Sequence, residues 1–344
     1  MSPKRYLFYV SQNYSFAILR PLQAEILKRG DIIKWFLHGS DINANYIKDD
    51  ELVLNDIYDV MAYEPDAVFV PGNVVPSFIS GLKVAVFHGF NVEKRSGSRG
   101  HFNIRGCFDL YCTQGPNTTK TFKSLADKHQ YFTVEETGWP AIDTLYRGEH
   151  VKDRRPTVLL CSTFSPNLSC AEHIFNKVKS LSESGRWQWL VQFHPKMNVK
   201  IVEKYKSIQN DSLTFIETDN VIPLLQRADV MVSDTSSIIT MFLLLEKPVV
   251  TFKNANPKAH NLDINDVERL ESSIETALKR PKELMKNITE FVNQTHPYKD
   301  GKSAERVINA TEKMLAGNSI PKKSKPFNIV RNFKMRKNLN YWKL

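Results

Sequence analysis

A chain of 344 residues exceeds one ordinary α/β core and suits two, and its 42% hydrophobic and 11% aromatic content excludes a disordered chain. The net charge of +10 is uneven: from Asn318 to Leu344 there are eight Lys/Arg and no acid, which leaves the other 317 residues near +2. That distribution argues against a fold with a basic nucleic-acid-binding face, and it marks residues 318–344 as a segment suited to an anionic surface.

The first half alternates apolar runs with helix-length stretches. Tyr6–Val10 reads as a strand, followed by an amphipathic helix Phe16–Lys28 that stops at Gly30. Ile32–Leu37, Ala67–Val70 (closed by Pro71-Gly72), Lys83–Phe87 (closed by His88-Gly89), Phe108–Cys112 and Tyr131–Val134 follow as strands. A polar stretch, Arg147–Pro156, separates a second series. Its strands are Thr157–Cys161, Trp187–Phe193, Leu213–Ile216, Asp229–Val232 and Pro248–Phe252, with helices at Ala171–Ser182, Val221–Arg227 and Ile238–Leu245. Three further helices are expected at Asn265–Lys279, Pro281–Val292 and Gly301–Ala316. Two doubly wound α/β domains in tandem account for this order. The expected boundaries are residues 1–147, 148–317 and a basic aromatic segment 318–344.

Cys107, Cys112, Cys161 and Cys170 lie in or beside apolar runs without CxxC spacing, so buried free thiols are expected. The apolar stretch near residue 6 is too short for a signal-peptide core, and nothing approaches the roughly 18–20 apolar residues of a membrane span. A cytoplasmic protein is the expectation.

Chemistry in open α/β sheets gathers where strands end, so the polar residues that close the apolar runs are the candidates. His88-Gly89 and His194-Pro195-Lys196 each put an imidazole just past a strand, in different domains. An imidazole there suits proton transfer near neutral pH; a loop His bonded to a backbone carbonyl is the plainer alternative. Ser233-Asp234-Thr235-Ser236-Ser237 joins a buried strand to a helix through five hydroxyl or carboxylate residues. Free N–H groups and hydroxyls at such a junction can hold phosphate oxygens, whereas a helix cap alone needs only one of them. GxGxxG after the first strand, a P-loop, GxSxG, HExxH and zinc-spaced Cys/His are all missing. No metal and no organic cofactor is expected.

In this order the motifs resemble the CDP-glycerol glycerophosphotransferase family of teichoic acid and capsule biosynthesis. The matching residues are His88-Gly89 with Lys94, Gly138-Trp139-Pro140 with Asp143, His194-Pro195, Ser233–Ser237 with Glu246-Lys247-Pro248, and Asp300-Gly301-Lys302-Ser303. The resemblance implies a GT-B architecture, two Rossmann-like domains facing across a cleft. It also implies a CDP-alditol donor held by the C-terminal domain, a lipid-linked or polysaccharide acceptor, and release of CMP. His88 would be the base, His194 would contact the donor phosphates, and Ser233, Asp234, Thr235, Ser236 and Ser237 would hold them. Gly89, Lys94, Gly138, Pro140, Asp143, Lys196, Asp300 and Lys302 would line the same cleft. The family's Gly-Tyr-Pro-Arg-Asn-Asp is Gly138-Trp-Pro-Ala-Ile-Asp143 here, which leaves the donor head group open. The alternative is a nucleotide-sugar glycosyltransferase or a UDP-GlcNAc 2-epimerase-like enzyme on the same fold, whose flavour Thr137–Leu145 carries. The interleaved aromatics and cations of residues 322–344 suit an interfacial segment, and so a peripheral position on the inner face of the cell membrane.

Overall fold

The computed structural model describes residues 2–39, 42–90, 100–147, 155–218, 220–318 and 320–342. They form two units: residues 1–143 with 295–344, and residues 144–294.

The first unit opens with β1 (Arg5–Val10), α1 (Ser15–Lys28), β2 (Ile32–Leu37), β3 (Val53–Leu54), α2 (Ile57–Tyr63), β4 (Ala67–Val70), β5 (Leu82–Ala85), β6 (Leu110–Thr113), α3 (Pro116–His129) and β7 (Thr133–Glu136). Its seven strands are parallel, in the order β3-β2-β1-β4-β5-β6-β7. In β1, Tyr6, Leu7, Phe8, Tyr9 and Val10 are all buried, as a central parallel strand covered on both faces requires. The chain runs outward from β1 to β3, then restarts at β4 on the other side of β1. The switch point of this sheet is therefore between β1 and β4.

The second unit contains β8 (Thr157–Ser162), α4 (Ala171–Glu183), β9 (Gln188–Phe193), α5 (Val199–Lys206), β10 (Leu213–Phe215), α6 (Ile222–Arg227), β11 (Val230–Ser233), α7 (Ile238–Leu243), β12 (Val249–Phe252), β13 (Leu262–Ile264), α8 (Leu270–Leu278) and α9 (Lys282–Thr295). Six parallel strands lie in the order β10-β9-β8-β11-β12-β13, with the switch point between β8 and β11. Trp189, Val191, Val230, Val232 and Val250 from these strands share one core with Ile174, Val178, Leu270 and Ile274 from the covering helices.

The two doubly wound parallel domains match the GT-B expectation, but the boundary differs. Helix α10 (Ser303–Leu315), which the 148–317 boundary gave to the second domain, belongs to the first unit, as does α11 (Ile329–Asn338) from the 318–344 segment. Helix α10 packs against α1, and Lys4 and Arg29 both pair with its Glu312 at 3.0 Å. Linear order cannot show such a return. The short elements β3, α2 and β13 also carry too few residues to reveal a period.

Residues 320–342 are not a separate tail. Leu339 and Tyr341 pack into the first unit's core, Tyr341 stacking on Phe78 at 5.1 Å, and Lys325 pairs with Asp109 at 2.6 Å. All four cysteines are free and buried, as expected. Among the described residues, no helix is long and apolar enough to cross a membrane.

Candidate functional site

The first unit places its imidazole beside its switch point. Apolar character suggested a strand through Phe87, but β5 ends at Ala85 because Phe87 adopts a left-handed backbone (φ 56°). A non-glycine residue in that region costs about 1–3 kcal/mol and needs support from its surroundings. Here Phe87 stacks on His101 at 5.0 Å and packs at a tilt against Phe122 at 5.1 Å. The turn swings His88 back over the loops that follow β1 and β4. Its ring stacks on Tyr14 at 5.0 Å, and Nδ1 lies 3.1 Å from the Pro71 carbonyl. A carbonyl only accepts, so Nδ1 carries the proton and Nε2 of the neutral ring has its lone pair. That is the form in which an imidazole takes a proton. Neighbouring His101 is held neutral, its pKa pushed down to about 4 by burial first and by His88 second.

The loop bearing His88 is braced from below. Gln114 donates to the Gly89 carbonyl at 2.8 Å, the Trp139 indole donates to the Phe87 carbonyl at 3.4 Å, and Phe90 packs edge-on to Trp139. Trp139 in turn donates its backbone N–H to Nε2 of buried His296 at 3.0 Å. Gly138, at φ 81°, makes this junction possible: a Cβ there would lie 2.5 Å from the Ser303 hydroxyl and 2.7 Å from His296 Nε2. Asp143 is buried and accepts the N–H groups of Ser303 (2.9 Å) and Ala304 (2.8 Å). It caps the N-terminus of α10 from a distant part of the chain, where a carboxylate also meets the positive end of the helix dipole. The expected cleft role of Asp143 is thus replaced by a structural one. Pro140 opens the short 3-10 turn that delivers Asp143. Asp300 accepts the Lys302 N–H at 3.1 Å and pairs with Arg306, so Asp300 and Lys302 shape the entry to α10. Lys94 lies outside the described residues.

The second unit gathers its candidates at the ends of β8, β9 and β11. His194 follows β9, and the backbone N–H of Lys196 donates to its Nδ1 at 3.1 Å. The neutral ring therefore carries its proton on Nε2, the opposite tautomer to His88, and presents a donor. Its pKa is lowered by desolvation and then by the Lys196 charge. Phe164, just past β8, packs on the ring at 4.6 Å.

Asp234 is fully buried and occupied by the protein itself. It accepts the Ser162 hydroxyl at 2.5 Å, the Thr163 N–H at 3.1 Å to both oxygens, and the Cys170 N–H at 3.0 Å. The expectation that it touches a donor phosphate gives way to a bracing role, because a carboxylate facing phosphate would also repel it. Its bonds tie the loop after β8 to the turn after β11, across the switch point. Residues 162–164 thereby connect Asp234 to His194. Asn254 fixes the same turn by donating to the Asp234 carbonyl at 2.6 Å, while the Thr235 hydroxyl accepts the Ala255 N–H at 2.9 Å. Ser233 is buried, and among the described residues its hydroxyl has no recorded partner. Ser237 is exposed and Ser236 half-buried at the start of α7, with no side-chain cap bond from Ser237. They are the hydroxyls left accessible for a ligand. Among the described residues, no group of three His, Cys, Asp or Glu is arranged to hold a metal ion.

Sequence reading missed Tyr14, Gln114, Phe164, Asn254 and His296. Ser162-Thr163-Phe164 could have been found by the same strand-end rule that found His194. The others act through contacts across the fold.

Residues 132–312 match the family profile described as UDP-N-acetylglucosamine 2-epimerase. No curated protein sequence gives a significant match. Three solved structures share the fold. A candidate UDP-N-acetylglucosamine 2-epimerase from Listeria monocytogenes is 18% identical, with a TM-score of 0.65 over 93% of this chain and 99% of its own. S. aureus MnaA, solved with UDP, is 18% identical with a TM-score of 0.61 over 94% and 100%. The wall teichoic acid polymerase TagF is 12% identical with a TM-score of 0.64 over 92% and 90%. At such identities the likeness establishes the fold alone. The profile match supports the epimerase alternative better than the family drawn from motif order.

Proposed function

The chain belongs to the UDP-N-acetylglucosamine 2-epimerase family, and from that premise we propose that it is an enzyme acting on a sugar activated by UDP. The diphosphate is taken by the second unit at the end of β11, where Ser236 and Ser237 offer hydroxyls and His194 offers Nε2–H. His88 of the first unit is the base. The observation that carries this reading is the pair of oppositely set imidazoles: a backbone N–H on Nδ1 of His194 makes it a donor, and a carbonyl on Nδ1 of His88 makes it an acceptor. A donor suits phosphate oxygens, which only accept, and an acceptor suits removal of a proton from the substrate. The UDP bound to the similarly folded S. aureus protein supports a uridine nucleotide.

A second reading is favoured by the order of His88-Gly89, His194-Pro195 and Ser236-Ser237: transfer of an alditol phosphate from a CDP-alditol to a lipid-linked or polysaccharide acceptor, with loss of CMP. Incubation with UDP-N-acetylglucosamine, CDP-glycerol and CDP-ribitol separates them. Conversion of UDP-N-acetylglucosamine to its C2 epimer is the expected result. CMP release with UDP-N-acetylglucosamine unchanged would replace the first reading by the second.

A further inference from the structure

The segment that closes the first unit is half anchored and half bare. Its anchors face inward: Tyr341 in the core, the Arg336 guanidinium over Phe78 at 4.6 Å, the Asn332 side chain receiving the Ser77 hydroxyl at 2.6 Å, and Lys325 on Asp109. These contacts fix α11 on the surface with a definite outer face. That face carries apolar groups where a solvated helix would be polar. Ile329, Val330 and Phe333 are 70%, 69% and 58% exposed, with Phe327 just before the helix and Trp342 just after it, packed against Phe333. Six of the sixteen large hydrophobic side chains exposed among the described residues fall between Ile320 and Trp342. Lys334 and Lys337 lie on the same outer face, Lys322 and Lys323 lie exposed nearby, and no acid occurs in residues 318–344.

We propose that residues 320–342 form a docking surface for an anionic lipid bilayer, with Phe327, Val330, Phe333 and Trp342 entering the interface and Lys322, Lys323, Lys334 and Lys337 meeting the headgroups. The charge selects an anionic partner, and the apolar row distinguishes a bilayer from nucleic acid, which would leave these side chains in water. A helix already held in place by Tyr341 does not have to fold on binding. This inference is independent of the sugar-nucleotide reading.

The full chain is tested by co-sedimentation with phosphatidylcholine vesicles with and without about 30% phosphatidylglycerol, at low and high salt. Binding to the anionic vesicles alone, weakened by salt, is expected. Val330→Ser with Phe333→Ser should weaken it about tenfold, and Lys334→Gln with Lys337→Gln about 30-fold. Both pairs are exposed, so far-UV circular dichroism should stay unchanged. Trp342 gives a direct readout, because Trp35, Trp139, Trp187 and Trp189 are buried. Its emission should shift to the blue with vesicles, and Trp342→Phe should abolish the shift. Equal sedimentation with neutral vesicles, or binding without any shift, would overturn the proposal. So would full retention of binding by the Val330/Phe333 variant with displacement by single-stranded RNA, which would mark a polyanion surface instead.

Discussion

Replacing Asp234 by Asn tests whether this carboxylate braces the second unit or waits for a ligand. The isosteric change keeps shape and removes charge. Three donors point at the carboxylate: the Ser162 hydroxyl and the backbone N–H groups of Thr163 and Cys170. A bond to a charged acceptor contributes about 1.5–3 kcal/mol and one to a neutral acceptor about 0.5–1.5, so three bonds lose about 1 kcal/mol each. The new amide also turns its own N–H groups towards one of these donors. Ser162 can rotate to accept, since its oxygen already shares a 2.8 Å contact with Ser169, and this recovers part of the loss. The expected cost is about 2–4 kcal/mol, or about 5–15 °C in the melting temperature of a unit of this size. Urea and thermal unfolding should be followed by tryptophan fluorescence, with Trp187 and Trp189 reporting the second unit. A loss below about 0.5 kcal/mol would refute the bracing role, and a tighter complex with UDP in the same variant would restore Asp234 to the ligand's surroundings.

His88→Ala should lower turnover by about 10²–10⁴ while UDP affinity, measured by calorimetry, changes little; a variant with near-normal turnover has its base elsewhere. Ser236→Ala with Ser237→Ala should weaken UDP binding by at least about tenfold with unchanged stability, as expected for lost bonds to a charged group. His296 has a folded pKa of about 4 against an ordinary value of 6.5, chiefly through burial. The unfolded chain therefore binds the extra proton between those values, so this contribution is fully present above about pH 6.5 and is lost as pH falls towards 4. The loss from this one residue is about 3 kcal/mol, and His296→Gln, which can still accept the Trp139 N–H, should flatten that part of the pH-stability curve of the first unit.

The sequence by itself determined the number of domains, their doubly wound character and the strand ends worth inspecting. These follow from local apolar runs and from the small polar residues that close them. The run Ala67–Val70 coincides with its strand, because a strand buried on both faces must be continuously apolar. His88, His194 and Ser233–Ser237 were legible for the same reason: a strand end in a parallel sheet is where side chains become available. Only the tertiary structure decided which partners each of these residues meets. Which nitrogen of an imidazole is protonated depends on a carbonyl at Pro71 or an N–H at Lys196, and Asp234 and Asp143 are taken by donors 64–72 and 160–161 residues away. The return of α10 and α11 to the first unit likewise rests on Glu312 and Tyr341 finding partners near the start of the chain. Hydrogen-bond partners across a fold leave no period in a sequence, so the positions could be read there and the roles could not.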